Sequence, residues 1–157
     1  MQPANVDEDE AGDPAAVAEI NARRKASAIR PHPPDLVLGA DTVVALDGEI
    51  LGKPRDAAQA REYVGRLNGR MHEVVGAIAL AQAGEIVATA VEVTRVTFRR
   101  SDDATLDWYV GTGEWDGRAG GYAIQGEGAA LVAAVDGDYL NVVGLPLARL
   151  QDLLKGR

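Results

Sequence analysis

The chain has 157 residues, no cysteine and a formal charge of −8 at pH 7. That length suits a single domain that buries roughly two-thirds of its unfolded surface without staples. The absence of thiols excludes a disulfide scaffold, a cysteine nucleophile and any cysteine-held zinc or iron–sulfur centre.

The charge is concentrated at the start. Residues 1–19 hold six acids, Asp7, Glu8, Asp9, Glu10, Asp13 and Glu19, and no base. Charge alone reads this stretch as a solvated tail. The remainder is nearly neutral, which argues against a nucleic-acid partner. No apolar run reaches the ~18 residues of a membrane span. The first twenty residues carry neither a basic start nor an apolar stretch, so no signal peptide is expected. The expected location is the cytoplasm.

Asp13 and Pro14 predict a helix start, with the aspartate as N-cap and the proline at the first helical position. Val17 and Ile20 mark its apolar side, and Arg23, Arg24 and Lys25 suit its C-terminal dipole. Pro31, Pro33 and Pro34 forbid helix. Residues 36–46 form an apolar run interrupted by Asp41-Thr42, the pattern of a buried strand. Asp47-Gly48 predicts a two-residue hairpin turn, with a short return strand over 49–51. Asp56 and Gln59 read as a capping box. The helix it opens carries Ala60, Tyr63, Val64 and Leu67 and ends at Asn68-Gly69.

Residues 71–82 and 85–99 predict a long hairpin joined by Ala83-Gly84. Ser101 is expected to cap a helix with Asp102 and Asp103 in its first turn and Leu106, Tyr109 and Val110 on one face. Residues 111–121 hold five glycines and read as loop. Residues 122–124 and 129–135 are strand-like. Pro146 opens a terminal helix with Leu147, Leu150, Leu153 and Leu154 on one side. Helices and hairpins together predict an α/β fold, a mixed sheet flanked by helices, in one domain.

Asp41 is the foremost candidate for chemistry. It ends an apolar stretch, and Gly39 and Ala40 before it leave room for a close approach. Carboxylates at such strand ends serve as metal ligands or bases, or simply bond a turn. Lys53, between Gly52 and Pro54, suits either a phosphate contact or solvent. The segment 118–128 is glycine-rich but lacks the spacing of a Walker loop and of a dinucleotide fingerprint. Its Gln125 offers one donor and one acceptor group, the pair needed to read a base edge. His32 and His72 are the only histidines and match no metal-ligand pattern. His32, between prolines, is expected to be exposed. His72 is expected either to face solvent or to bond a nearby loop. Trp108, Tyr109 and Trp115 are expected to pack the helix and the loop after it.

Five segments then occur in order: Gly39-Ala-Asp-Thr-Val-Val44, Leu51-Gly-Lys-Pro54, Leu67-Asn-Gly-Arg-Met-His72, Ala119-Gly-Gly-Tyr-Ala-Ile-Gln-Gly126 and Asn141-Val-Val-Gly-Leu-Pro146. Together they resemble the Maf family of nucleoside triphosphate pyrophosphatases. The resemblance runs from about Asn5 to the C-terminus and implies a Maf/ITPase-like fold. The implied activity is hydrolysis of a nucleoside triphosphate to a monophosphate and pyrophosphate by attack of water on the α-phosphorus.

The resemblance also implies a divalent cation, magnesium or manganese, and a homodimer. Asp41 matches the proposed proton acceptor, and Glu8 a site carboxylate that would hold the metal with Asp41. Lys53 matches a phosphate-contacting lysine, and Thr42 and Gln125 match positions tied to base choice. Asp41-Thr42 with Ile124-Gln125-Gly126 resembles the branch acting on dTTP and UTP. The branch preferring methylated GTP has a different residue after the aspartate.

Two departures from the family pattern stand out. The family begins with a strand and a Ser-Ala-Ser-Pro-Arg-Arg turn that supplies amides and arginines to phosphates. The present sequence begins after the point where that turn would fall. An uncovered apolar sheet edge is therefore expected, and so is an alternative role as a non-catalytic nucleotide-binding protein or a regulator of septum formation. The second departure is Gly76, where the family usually carries threonine.

Overall fold

The computed structural model describes residues 6–9, 11–29 and 35–156. His32 and the three prolines around it lie outside that set. Among the described residues five strands form one sheet: β1 (Leu36–Leu46), β2 (Glu49–Leu51), β3 (Met71–Gln82), β4 (Glu85–Phe98) and β5 (Val132–Asp136). Their order is β2-β1-β3-β4-β5, and every described pairing is antiparallel. Among the described residues five α-helices accompany it: α1 (Pro14–Ser27), α2 (Ala57–Leu67), α3 (Asp103–Gly111), α4 (Tyr139–Val143) and α5 (Leu147–Lys155). The α/β expectation is borne out, but the sheet expected to be mixed is antiparallel throughout the described strands, because β1–β2 and β3–β4 are joined by hairpins and no described helix joins paired strands as a parallel crossover. No helix among the described residues is long and apolar enough to cross a membrane.

Both hairpin turns follow the local chemistry. Asp47 and Gly48 take positive φ of 53° and 83°, and Ala83 and Gly84 take 53° and 88°. Two successive left-handed residues make the turn whose twist matches that of the flanking strands.

Strand alternation divides the core between two faces. On one face Val37, Val43, Val75, Ala77, Ala79 and Ala81 meet Val17, Ala18, Ala22 and Ala26 of α1. On the other face Val44, Leu46, Val74, Val96 and Phe98 meet α2, α3 and the segment from Tyr122 to Leu131. The α1 face is made of small residues, so the helix lies very close to the sheet. A Cβ at Gly39 would overlap the backbone carbonyl of Ala22. The room left by Gly39 is therefore taken by α1 rather than by a ligand.

Several local expectations change. Ile20 is 40% exposed, and the buried stripe of α1 instead includes Asn21. Asp102, not Ser101, caps α3, accepting from the Thr105 N–H at 2.9 Å. Residues 122–124 form no strand: the Gly120 and Gly121 backbones turn at positive φ before them, and they pack their side chains without a ladder. The stretch expected as strand over 129–135 begins as a 3-10 helix, Glu127–Leu131, and only then becomes β5.

Trp108 is exposed, Tyr109 is buried, and Trp115 donates its ring N–H to the Val110 carbonyl at 2.9 Å. The leucine side of α5 is not buried: Leu147 and Leu154 are exposed, as are Tyr139, Leu140 and Val143 of α4.

Gly76 acquires a physical reason. A Cβ there would overlap Oδ1 of Asn141, which α4 inserts against β3. Asn141 is fully buried, and its Nδ2 donates to the Val74 carbonyl at 3.0 Å and to Thr94 Oγ1 at 3.1 Å. The glycine makes room for the asparagine that fastens α4 to the sheet, whereas a threonine would require Asn141 to move.

Candidate active site

β2 is only three residues long and pairs with Val44, Ala45 and Leu46. Among the described residues, the β1 edge ahead of Val44 has no strand partner on that side. Asp41 and Thr42 fall where that pairing stops. Alternation sends their side chains to opposite faces, Asp41 toward α1 and Thr42 away from it. Because the edge is open there, both border the same cavity of about 300 Å³.

Asp41 is held from α1. Asn21 Nδ2 donates to its Oδ2 at 3.1 Å, and Lys25 Nζ donates to its Oδ1 at 2.6 Å. Asn21 in turn exchanges two hydrogen bonds with the Asp9 backbone, at 2.8 and 3.0 Å. This brings residues 7–9 across the site, where Arg24 also pairs with Asp9. The stretch around Glu8 is thus docked by specific bonds, and the solvated-tail reading of it is corrected.

Glu8 joins two lysines. One oxygen meets Lys25 at 2.7 Å and the other meets Lys53 at 3.0 Å. Burial would raise the Glu8 carboxyl, but its hydrogen bonds and charge contacts with Lys25 and Lys53 outweigh burial and hold it below its ordinary value. Burial likewise opposes charge on Lys25, yet Asp41 and Glu8 together raise it. Both groups are ionised at neutral pH.

The opposite wall is loop. Gly117, Arg118, Ala119 and residues 122–125 line it, with Val142, Val143 and Gly144 beside them. The Gly120 N–H donates to the Gly52 carbonyl at 3.0 Å, which ties this loop to the turn that carries Lys53. A Cβ at Gly120 would press on Val44, so the loop lies directly on β1. Tyr122 is buried beneath the cavity and shares a 2.8 Å hydrogen bond with His72 Nε2. Burial pushes the Tyr122 hydroxyl up and pushes His72 down to about 4, so both are neutral at physiological pH. His72 therefore bonds a neighbouring loop, one of its two expected positions, and is not at the surface.

The fold brings together Glu8, Asp41, Thr42, Lys53 and Gln125 around one cavity and its rim. Sequence reasoning overlooked Asn21, Lys25 and Arg118. Asn21 and Lys25 had a readable signal: with Val17 they form an i, i+4, i+8 stripe on one helix face. Lys25 turns inward instead of serving the helix dipole. Arg118 differs from the two lysines: among the described residues its guanidinium has no carboxylate partner, although it lines the cavity.

Fixed cations facing a cleft beside an ionised carboxylate define an α/β protein suited to a polyanionic ligand. Comparison with known proteins makes the class specific. The chain belongs to the Maf-like protein family, whose profile matches residues 1–157. A dTTP/UTP pyrophosphatase of Pyrococcus furiosus is 42% identical to it over 158 residues, covering 99% of this chain and 83% of that protein. The protein of the same name from Symbiobacterium thermophilum is 48% identical, covering 92% and 74%. That from Anaeromyxobacter dehalogenans is 53% identical, covering 85% and 69%.

Proposed function

We propose that this chain hydrolyses dTTP and UTP to their monophosphates and pyrophosphate. The observation that carries this reading is the position of Asp41. Its carboxylate is fixed by Asn21 and Lys25 at the rim of a cavity whose other wall presents Gln125. Related proteins named dTTP/UTP pyrophosphatase over most of the chain support the same substrate.

In the proposed reaction a water oxygen bonds to the α-phosphorus, and the bond from that phosphorus to the bridging oxygen of the β-phosphate breaks. Asp41 takes the proton of the attacking water. Two of the roughly four acceptor positions of its carboxylate are already used by Asn21 and Lys25, so lone pairs remain for water. Lys53 and Arg118 neutralise charge on the departing pyrophosphate. Thr42 and Gln125 face the base, where the Gln125 amide can donate to one pyrimidine edge atom and accept from another.

The donor set also suits a divalent cation. Glu8 and Asp41 offer carboxylate oxygens that converge on a single ammonium, at 2.7 and 2.6 Å. Magnesium takes one or two protein carboxylates and completes its shell with water and phosphate oxygens. No group of three or more potential metal-ligating side chains converges among the described residues, which fits a cation brought in with the nucleotide. When bound, such an ion supplies charge neutralisation at the phosphate oxygens.

A homodimer is proposed as well, supported by the apolar residues that α4 and α5 leave exposed. Sedimentation tests it.

The activity test is pyrophosphate release from a panel of eight ribo- and deoxyribonucleoside triphosphates with magnesium or manganese. Release greatest from dTTP and UTP supports the reading. Release greatest from a purine nucleotide, or none from any, overturns it.

A further inference from the structure

The residue that presents the base-facing wall stands outside the cavity. Glu114 lies in the turn after α3, half-buried behind the loop. One of its oxygens accepts from the Glu127 N–H at 3.0 Å, and the other accepts from the Gly128 N–H at 2.7 Å. These two amides open the 3-10 helix Glu127–Leu131 and have no carbonyl partner within it.

A second tie lies on the other side of Gln125. The Tyr109 hydroxyl of α3 accepts from the Ala123 N–H at 3.2 Å. Burial foremost, with the negative charge of Glu114 nearby, pushes that hydroxyl up, so it keeps its proton at neutral pH.

The segment 123–128 is thus tied at one end to Tyr109 of α3 and at the other to Glu114 in the turn after it. Its glycines show how closely it is held. A Cβ at Gly126 would overlap Glu114 Oε1, and the backbone there has a φ of 104°. A Cβ at Gly128 would overlap the Ala123 carbonyl. Gln125 lies between the two ties, exposed toward the cavity, and its side-chain amide has no partner among the described residues. Nothing but this backbone fixes where that amide stands.

We infer that Glu114 is a positioning residue for base selectivity, holding Gln125 at the base edge through the amides of Glu127 and Gly128 without touching the nucleotide. The inference rests on the dTTP/UTP reading. Two donors in fixed positions call for an acceptor with two oxygens and no hydrogen of its own, which a carboxylate alone provides. A glutamine presents one oxygen and one NH2, and the NH2 would face an N–H. Glu114→Gln therefore keeps size and loses one tie. Discrimination suffers before catalysis does, because Asp41, Lys25 and Lys53 stand on other elements.

The test compares kcat/KM for dTTP, UTP, dCTP and dGTP in the unmodified chain, Glu114→Gln and Tyr109→Phe. Glu114→Gln is expected to lower the dTTP-to-dCTP preference by about tenfold, with kcat on dTTP retained within about threefold. Tyr109→Phe should shift the preference the same way by less, since it releases Ala123 only. Backbone amide exchange at Glu127 and Gly128 should quicken in Glu114→Gln while the β3 amides stay protected. An unchanged preference in a folded Glu114→Gln protein overturns the inference. A loss of kcat equal for all bases also overturns it, because that marks a general structural role. If the unmodified chain turns over no nucleotide, the dTTP/UTP reading falls by itself. Unaltered exchange at Glu127 and Gly128 in Glu114→Gln would independently remove the clamp.

Discussion

The two walls of the cavity are built on opposite principles. On the α1 side every charge is answered. Glu8 and Asp41 face Lys25, and Lys53 takes the other oxygen of Glu8. The groups come from a helix, a strand and two turns, and each holds the next. On the loop side the backbone is fixed but the functional groups are free. Arg118 has no carboxylate and Gln125 has no side-chain partner among the described residues. A wall of mutually satisfied charges holds its carboxylates and ammoniums in place before a ligand arrives. A wall of free groups on a pinned backbone suits recognition, because a ligand supplies the missing partners.

The largest expected effect breaks the first wall at its centre. Asp41→Asn keeps the shape but cannot take a proton from water, and it turns an NH2 toward either Lys25 or Asn21. The expected result is a fall in kcat on dTTP of about 10²- to 10⁴-fold, with binding of the monophosphate product retained. Steady-state kinetics and product titration measure both. Full activity would remove Asp41 from the role of base.

A smaller effect is expected at the second wall. Arg118→Gln removes a cation that has no acid to leave behind, so the fold should keep its melting temperature. The KM for dTTP should rise about tenfold, the scale of one charge-assisted contact. Inhibition by inorganic pyrophosphate should weaken alongside, and inhibition by the nucleoside monophosphate should not. If both inhibitions weaken equally, Arg118 does not distinguish the leaving phosphates from the remaining one.

The difference between the walls also explains what the sequence made legible. Elements with local rules were readable: the Asp13 and Asp56 caps, the Asp47-Gly48 and Ala83-Gly84 turns, and the apolar run of β1. Asp41 was readable because a lone carboxylate interrupts an apolar run. Lys25 was overlooked despite its i, i+8 relation to Val17, because a lysine in the last turns of a helix also has an adequate local explanation. Residues 122–124 have strand-like composition, yet the Ala123 N–H goes to the Tyr109 hydroxyl and the Tyr122 hydroxyl to His72 rather than to a ladder, so tertiary packing overrides propensity. Gly76 could be noticed as a departure from the family, but its cause, the Asn141 oxygen, lies 65 positions away in the chain.

The smallest effect separates the walls by pH. His72 lies under the loop wall, bonded to Tyr122, and burial lowers it from 6.5 to about 4. Below pH 6.5 the unfolded chain binds a proton at this position that the folded chain refuses. Stability therefore falls as pH drops from 6.5 toward 4, with a slope of at most about 1.4 kcal/mol per pH unit. Glu8 acts in the same direction but only at lower pH. Its carboxyl is held below its ordinary value of 4.5, so its contribution is present above pH 4.5 and is lost only as pH falls through the lower, folded value. Between pH 6 and 5 acid should weaken the support of the loop wall and leave the charged wall intact. Thermal melts at those two pH values should differ by about 1 kcal/mol in the unmodified chain and by less in His72→Gln, which has no proton to refuse. An equal pH dependence in the two proteins would move the acid sensitivity away from His72.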